Sequence, residues 1–126
     1  MRFLRVTFAS FLLALPSIGY AQNFTGQQYK PLGFCQLTAA NLASAVGFSA
    51  STSAACNGSI PSGATWVEIC VSGAGISYRD DGVAPTASVG MLISSGTCFP
   101  YSVLPLTAFQ AILQSSGATI GASFYK

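Results

Sequence analysis

The sequence contains no histidine, and only 6% of its 126 residues are charged. Serine and cysteine nucleophiles ordinarily depend on a histidine base, so a catalytic triad of that kind cannot be assembled. Zinc sites usually combine histidines with closely spaced cysteine pairs, and the chain has neither a histidine nor a C-x-x-C pair. We therefore predict no catalytic residue, no metal site and no cofactor, and we interpret the protein as a non-enzyme.

The acidic residues are few: Glu68, Asp80 and Asp81 are the whole set. Glycoside hydrolysis needs two carboxyl groups that face each other across a substrate, whereas adjacent side chains on a strand point apart. Calcium needs six or more oxygen ligands, and only two carboxylates are adjacent. The pattern makes a small hydrolase the least favoured of the functions considered below.

Residues 1–21 carry the pattern of a cleaved secretory signal peptide. Arg2 and Arg5 precede the apolar run Val6–Leu15, and Gly19–Ala21 supplies the small residues of a cleavage site. The apolar run is too short for a transmembrane anchor. We expect a secreted or periplasmic protein without a membrane anchor.

Loss of the signal peptide would remove the excess of basic charge. Lys30, Arg79 and Lys126 then balance the three carboxylates, so the formal side-chain charge is zero. A neutral surface does not attract nucleic acid and is poorly protected against self-association. We predict no nucleic-acid partner, and either a homo-oligomer or a protein partner.

Four cysteines, Cys35, Cys56, Cys70 and Cys98, follow the predicted signal peptide. An even number in a small exported domain favours two disulfides, and three pairings are open. We favour Cys70–Cys98 together with Cys35–Cys56, because Cys70 and Cys98 both fall on the polar faces of predicted strands.

The most regular pattern lies in Trp66–Ser72, where apolar residues alternate with the rest as in a half-buried strand. Ile76–Arg79 resumes the alternation after a glycine-containing break. The Arg79-Asp80-Asp81-Gly82 run predicts a turn, because Asp-Gly supplies the positive φ angles of a tight reversal. We place a hairpin turn at Arg79–Pro85. The expected core consists of Val67, Ile69, Val71, Ile76, Tyr78 and Val89.

The rest of the chain predicts further short strands and turns. We predict that residues 22–32 form an extended arm and that the domain spans 33–126. Strands are predicted at Gly33–Thr38, Thr86–Ile93, Cys98–Leu104 and Thr119–Tyr125. Leu106–Leu113 is predicted as a strand or a helix, and we expect it to form a closing hairpin with Thr119–Tyr125. Pro100 favours a sheet edge. The spacing indicates an all-β fold, an antiparallel β-sandwich or jelly roll of seven to eight short strands.

A longer motif carries a resemblance. Pro61–Ala64, the pattern R-D-D-G-x-x-P-T-x-x-x-G-M that begins at Arg79, and the ending Ser116–Tyr125 resemble small uncharacterised β-sandwich proteins of tailed phages and prophages. The resemblance covers residues 60–126. It implies a virion-associated or structural domain with no catalytic residues to transfer.

Aromatic residues supply the candidate binding surface: Trp66, Tyr78, Tyr101, Phe124 and Tyr125. These rings could bind sugar rings, or they could pack in the core and across strands. If Thr119–Tyr125 lies at a sheet edge, Phe124 and Tyr125 become contact residues. The leading hypothesis is a structural or interaction module that acts by assembly or partner binding; the alternative is a carbohydrate-binding or surface-recognition module.

Overall fold

The computed structural model describes residues 29–51 and 58–126. The predicted signal peptide and most of the predicted arm lie outside these residues, as does Cys56. The described chain forms seven strands: β1 Pro31–Leu37, β2 Trp66–Ser72, β3 Ile76–Arg79, β4 Met91–Ile93, β5 Cys98–Tyr101, β6 Gln110–Leu113 and β7 Thr119–Tyr125. Three short 3-10 helices occur at Asn41–Ala43, Phe48–Ala50 and Leu106–Ala108, and no α-helix occurs in 29–51 or 58–126.

The strands form two antiparallel sheets around one core, which confirms the predicted all-β class. The first sheet has the order β1-β7-β2-β5, and the second has the order β4-β3-β6. Most connections cross from one sheet to the other, so strands that are neighbours in sequence are rarely neighbours in a sheet. Buried residues from both sheets meet in a single cluster.

β2 is the central strand that its alternating sequence predicts. Val67, Ile69 and Val71 are buried, while Glu68 on the opposite face is exposed. β2 pairs with β7 on one side and β5 on the other, so both of its backbone edges are satisfied. Burial of each such aliphatic side chain contributes about 1.5–3 kcal/mol to folding before chain entropy is subtracted.

Aromatic rings fill the space between the sheets. Phe109 is fully buried and stacks on Phe48 at 4.6 Å between ring centroids. It also contacts Tyr78 and Tyr101, each at 5.3 Å. Phe48 meets Phe124 edge-to-face at 5.3 Å. The 3-10 helix at Phe48–Ala50 thus contributes Phe48 to the core.

The predicted hairpin after β3 has a different form. β3 pairs with β4, but residues 80–90 connect them, and β4 begins only at Met91. Within this connection Thr86 and Val89 form an isolated bridge with each other. Val89, predicted to be in the core, is 53% exposed. That prediction is wrong because the chain turns at 86–89 instead of running straight as a strand.

The predicted closing hairpin is also wrong. β6 belongs to the three-stranded sheet and β7 to the four-stranded sheet, so the turn between them crosses the sandwich. β7 lies between β1 and β2, not at an edge, and Phe124 is fully buried. The central position of β7 agrees with its clean alternation, which buries Ile120, Ala122 and Phe124 on one face.

The favoured disulfide between Cys70 and Cys98 is confirmed. The two residues are directly opposite in the β2–β5 pair, with Cα atoms 4.0 Å apart, and the bond lies on the outer face of the sheet. Cys35 is also disulfide-bonded. Its predicted partner, Cys56, lies outside the described residues. The Cys70–Cys98 bond links an edge strand to the centre of its sheet.

Candidate functional site

In the part of the chain that the structure describes, one side of the sandwich is open, where β4 ends the three-stranded sheet and β5 ends the four-stranded sheet. A cleft of about 360 Å³ lies between these two strands. It is lined by Tyr78, Met91, Leu92, Ile93, Ser94, Thr97 and Phe99. We call β4 together with this cleft the open edge. No charged side chain is among these lining residues, so any ligand of the open edge meets apolar and hydroxyl groups.

β4 exposes large apolar side chains at the open edge. Leu92 is 67% exposed and Met91 is 45% exposed. Leu92 is opposite Ser77 and Met91 is opposite Tyr78, so the two apolar side chains lie on opposite faces of the sheet, with Met91 on the face of Tyr78. Both are exposed because no strand in the described part of the chain pairs with β4 beyond β3.

The other sheet edges are better protected. Val46 forms a two-way backbone bridge with Ala111, which extends the three-stranded sheet beyond β6. The hydroxyl of Ser51 donates a hydrogen bond to the Gln36 carbonyl at 2.9 Å, which covers part of β1. Pro100 in β5 has no backbone N–H to offer another strand. Proteins commonly guard edge strands by such means, and β4 carries neither a proline nor a charged residue.

The predicted turn at Arg79–Gly82 is formed by a local ion pair. Arg79 donates two hydrogen bonds to the carboxylate of Asp81, one of them from Nε to Oδ1 at 3.1 Å. The Val83 backbone N–H donates to the same carboxylate. The Arg79 guanidinium, with help from the Val83 N–H, lowers the pKa of Asp81 to about 2. Gly82 has the predicted positive φ, at 78°. The Asp81 carboxylate and Gly82 therefore form the turn that the sequence predicts.

The same turn is attached to the neighbouring strand. The Gly82 N–H donates to the Ala108 carbonyl at 3.3 Å, and the Gln110 side-chain amide donates to the Gly82 carbonyl at 3.0 Å. These bonds hold the start of the 80–90 connection against β6. The end of the connection is held by a close backbone approach at Gly90. A Cβ there would lie 2.9 Å from the Tyr78 carbonyl oxygen. The connection that delivers β4 to the open edge is thus fixed at both ends.

A buried phenol lies below this region. Tyr101 is 5% exposed, and its hydroxyl has no hydrogen-bond partner in the described chain. Burial, together with the nearby negative charge of Asp80, raises the pKa of Tyr101 to about 12. Burial and Asp80 also raise the pKa of Tyr78. Both phenols are therefore neutral at physiological pH and act as core residues.

A second cleft, of about 440 Å³, lies on the outer side of the four-stranded sheet. Its described lining consists of Tyr29, Thr65, Trp66, Pro100 and Ser102. Tyr125 stacks on the Trp66 indole with ring centroids 4.2 Å apart, and Tyr29 packs edge-on against it at 4.7 Å. The indole is half-buried by these contacts. Tyr29, which is 50% exposed, presents the most accessible ring of this cleft.

The five aromatic residues of the predicted binding surface do not lie together on one surface. Phe124 and Tyr101 are core residues, and Tyr78 is half-buried beside the open edge. Trp66 and Tyr125 form a separate stacked pair at the far end of the four-stranded sheet. The aromatic residues of the described chain mainly pack against each other, which is the second of the two interpretations that their pattern allowed.

The carboxylates are not gathered into one site. Glu68 projects from the outer face of β2, whereas Asp80 and Asp81 follow β3 in the other sheet. Within residues 29–51 and 58–126, no group of three or more acidic, cysteine or histidine residues has the arrangement of a metal site. No helix in these ranges is long and apolar enough to cross a membrane.

Comparison of the chain with models of known protein families, with curated proteins and with solved structures gave no match. The resemblance to tailed-phage and prophage proteins therefore stays a prediction. What the protein does must be inferred from the surface of the molecule.

The sequence pattern did not identify β4 as a candidate site. One signal was present: no charged residue occurs between Gly82 and Tyr125. An edge strand in that stretch would have no charged guard residues. Recognising which strand forms the edge required the sheet order, because Thr86–Ile93 has the same sequence pattern as an internal strand.

Proposed function

We propose that this protein is an exported, non-catalytic interaction domain that binds another polypeptide along the open edge. The single observation that carries the proposal is the exposed, uncharged strand β4, with Leu92 67% exposed beside an apolar cleft. Unpaired N–H and C=O groups on an edge strand are a template for strand addition, and side-chain pockets next to the strand supply selectivity. Met91 and Phe99 at the cleft would accept an apolar side chain of the added strand.

The proposal includes export and a structural role. A disulfide in a small domain is typical of oxidising compartments, and Cys70 is bonded to Cys98. This supports the secreted or periplasmic location that the signal-peptide pattern predicts. The phage-protein resemblance supports a role in an assembly, in which a small domain contributes a docking surface and performs no chemistry.

Site-specific photocrosslinking tests the proposal. A photoreactive phenylalanine analogue replaces Leu92 in the full chain, produced in the cells that normally make it and illuminated there. A matched control carries the analogue at Leu104, which is 62% exposed and lies outside β4. We expect a discrete crosslinked protein product from position 92 that position 104 does not give. Equal crosslinking from the two positions, or none from either, would contradict the proposal.

The cleft beside Tyr29 supports a second candidate function, the binding of an uncharged sugar. Thr65 and Ser102 offer hydroxyl groups, and Tyr29 offers an exposed ring on which the apolar face of a sugar can pack. A glycan array probed with the native protein and with Tyr29→Ala tests it. We expect any sugar binding to be lost in Tyr29→Ala and retained in Leu92→Lys; binding that survives Tyr29→Ala removes this candidate.

A further inference from the structure

The shape and chemistry of the open edge indicate what binds there. β4 is only three residues long, Met91–Ile93, and its outward backbone edge is unpaired in the described chain. An added strand would therefore gain few backbone hydrogen bonds, and apolar contacts beside the strand must supply the rest of the affinity. The exposed apolar side chains in or just before β4 are those of Val89, Met91 and Leu92. The partner must present a matching apolar, uncharged surface around a short strand.

A second copy of this chain presents such a surface. Antiparallel pairing of β4 with its own copy about a two-fold axis at Leu92 sets Leu92 opposite the same residue of the copy. Met91 then lies opposite Ile93 of the copy. Directly opposed residues in an antiparallel pair point to the same face, so Leu92 meets an apolar side chain on one face of the sheet and Met91 meets one on the other face. The edge is self-complementary in this register.

The absence of charged residues in β4 removes the usual electrostatic barrier to this contact. A two-fold axis brings identical groups together, so a lysine or glutamate near the axis would face its own copy and repel it. The chain has no charged side chain from Gly82 to Tyr125, a stretch that includes β4 and β5. Arg79 and Asp81 neutralise each other in their own ion pair. Asp80, the remaining ionic residue nearby in sequence, lies beyond the last β3–β4 pair, Tyr78 with Met91. Two open edges can therefore approach without electrostatic cost from the strands that meet.

We propose that this protein forms a two-fold symmetric homodimer through β4, joining the two three-stranded sheets into one continuous six-stranded sheet. The inference rests on the proposed function, because it names the polypeptide that occupies the open edge. The other edges are protected: Val46 covers β6, and Pro100 leaves β5 without a backbone N–H at that position. β1 begins with a proline, and the Ser51 hydroxyl is bonded to its Gln36 carbonyl. An interface built on so short a strand buries a small surface area, so we expect a dimer that dissociates on dilution.

Size-exclusion chromatography with light scattering on the full chain, with its disulfides intact, gives the first readout. We expect the mass to rise toward twice the monomer mass as the protein concentration increases. Leu92→Lys should remain monomeric at every concentration, because two lysines would face each other across the axis. The matched control Leu104→Lys adds the same charge at an exposed leucine away from β4 and should dimerise like the native protein. A cooperative thermal unfolding transition shows that each variant is folded.

Cysteine crosslinking tests the register. Leu92→Cys should form an intermolecular disulfide with its own copy under oxidising conditions, because the two Cα atoms fall within disulfide range in the proposed pair. Met91→Cys alone should not crosslink, but a mixture of Met91→Cys and Ile93→Cys protein should give mixed dimers. Crosslinking of Met91→Cys with itself and not of Leu92→Cys would overturn the proposed register and with it the dimer described here.

The outcomes also separate this inference from the proposed function. A native protein that stays monomeric at high concentration, while Leu92 crosslinks to a different protein in cells, overturns the homodimer and leaves the interaction domain intact. A monomer with no crosslinked product at all overturns both. A dimer that Leu92→Lys does not disrupt overturns the β4 interface.

Discussion

Replacement of Phe109 by alanine should produce the largest loss of stability among single truncations of aromatic residues in this domain. Phe109 is fully buried and contacts the rings of Phe48, Tyr78 and Tyr101 at centroid distances of 4.6, 5.3 and 5.3 Å. Truncation of a buried phenylalanine to alanine costs about 3–5 kcal/mol, and loss of three ring contacts favours the upper half of that range. We expect Phe109→Ala to lower the free energy of unfolding by about 4 kcal/mol.

Phe34 supplies a matched control for this prediction. It is 50% exposed on the outer face of β1, and its ring lies over Gly121, where a Cβ would be 3.3 Å from the nearest ring carbon. Half of the ring is already in water, so Phe34→Ala should cost only about 1 kcal/mol. Phe109→Leu should fall between the two variants, because it keeps part of the buried volume.

Urea denaturation followed by circular dichroism, with disulfides intact, measures these differences. A typical domain has about 5–15 kcal/mol of stability, so a loss of about 4 kcal/mol moves the urea midpoint clearly and can unfold a marginal protein. The reasoning is refuted if Phe109→Ala loses no more stability than Phe34→Ala. That result would mean that the two sheets do not pack through the aromatic cluster around Phe109.

Three further predictions concern the bonds and buried groups of the domain. Loss of the Cys70–Cys98 disulfide, by the double change to serine, should lower stability by about 3 kcal/mol, because the unfolded chain gains freedom; an unchanged melting temperature would contradict this. Arg79 lowers the pKa of Asp81 from 3.8 to about 2 in the folded state. Between these two pH values the carboxylate is ionised in the folded protein and mostly protonated in the unfolded protein. Its contribution to stability is therefore present above about pH 4 and lost as the pH falls toward about 2, and Asp81→Asn should weaken this acid dependence in thermal melts. Tyr101→Phe removes a buried hydroxyl that has no hydrogen-bond partner in the described chain, so stability should stay the same or rise by about 1 kcal/mol; a loss of more than about 1 kcal/mol in urea denaturation would show that the hydroxyl is satisfied.

Local patterns in the sequence determined the individual strands and turns. The alternation in β2 predicted which residues are buried, because side chains of a strand alternate between its two faces whatever the sheet. Asp81-Gly82 predicted a turn with positive φ, since that conformation depends on the residues themselves. The Cys70–Cys98 pairing followed from the polar faces of the two strands. The burial and turn predictions relied on geometry that acts within a few residues. The bond between Cys70 and Cys98, which are 28 residues apart, also required their strands to be neighbours in the sheet.

Only the tertiary structure decided which strands are neighbours and which edge is open. The sequence predicted hairpins around Arg79–Pro85 and before Thr119–Tyr125, because the shortest connection between two strands is a hairpin. In the fold the second of these connections crosses between the sheets, which makes β7 central and buries Phe124. The same order leaves β4 at an edge with Leu92 exposed. Strand order depends on how two sheets share one core, and no local pattern records that long-range choice.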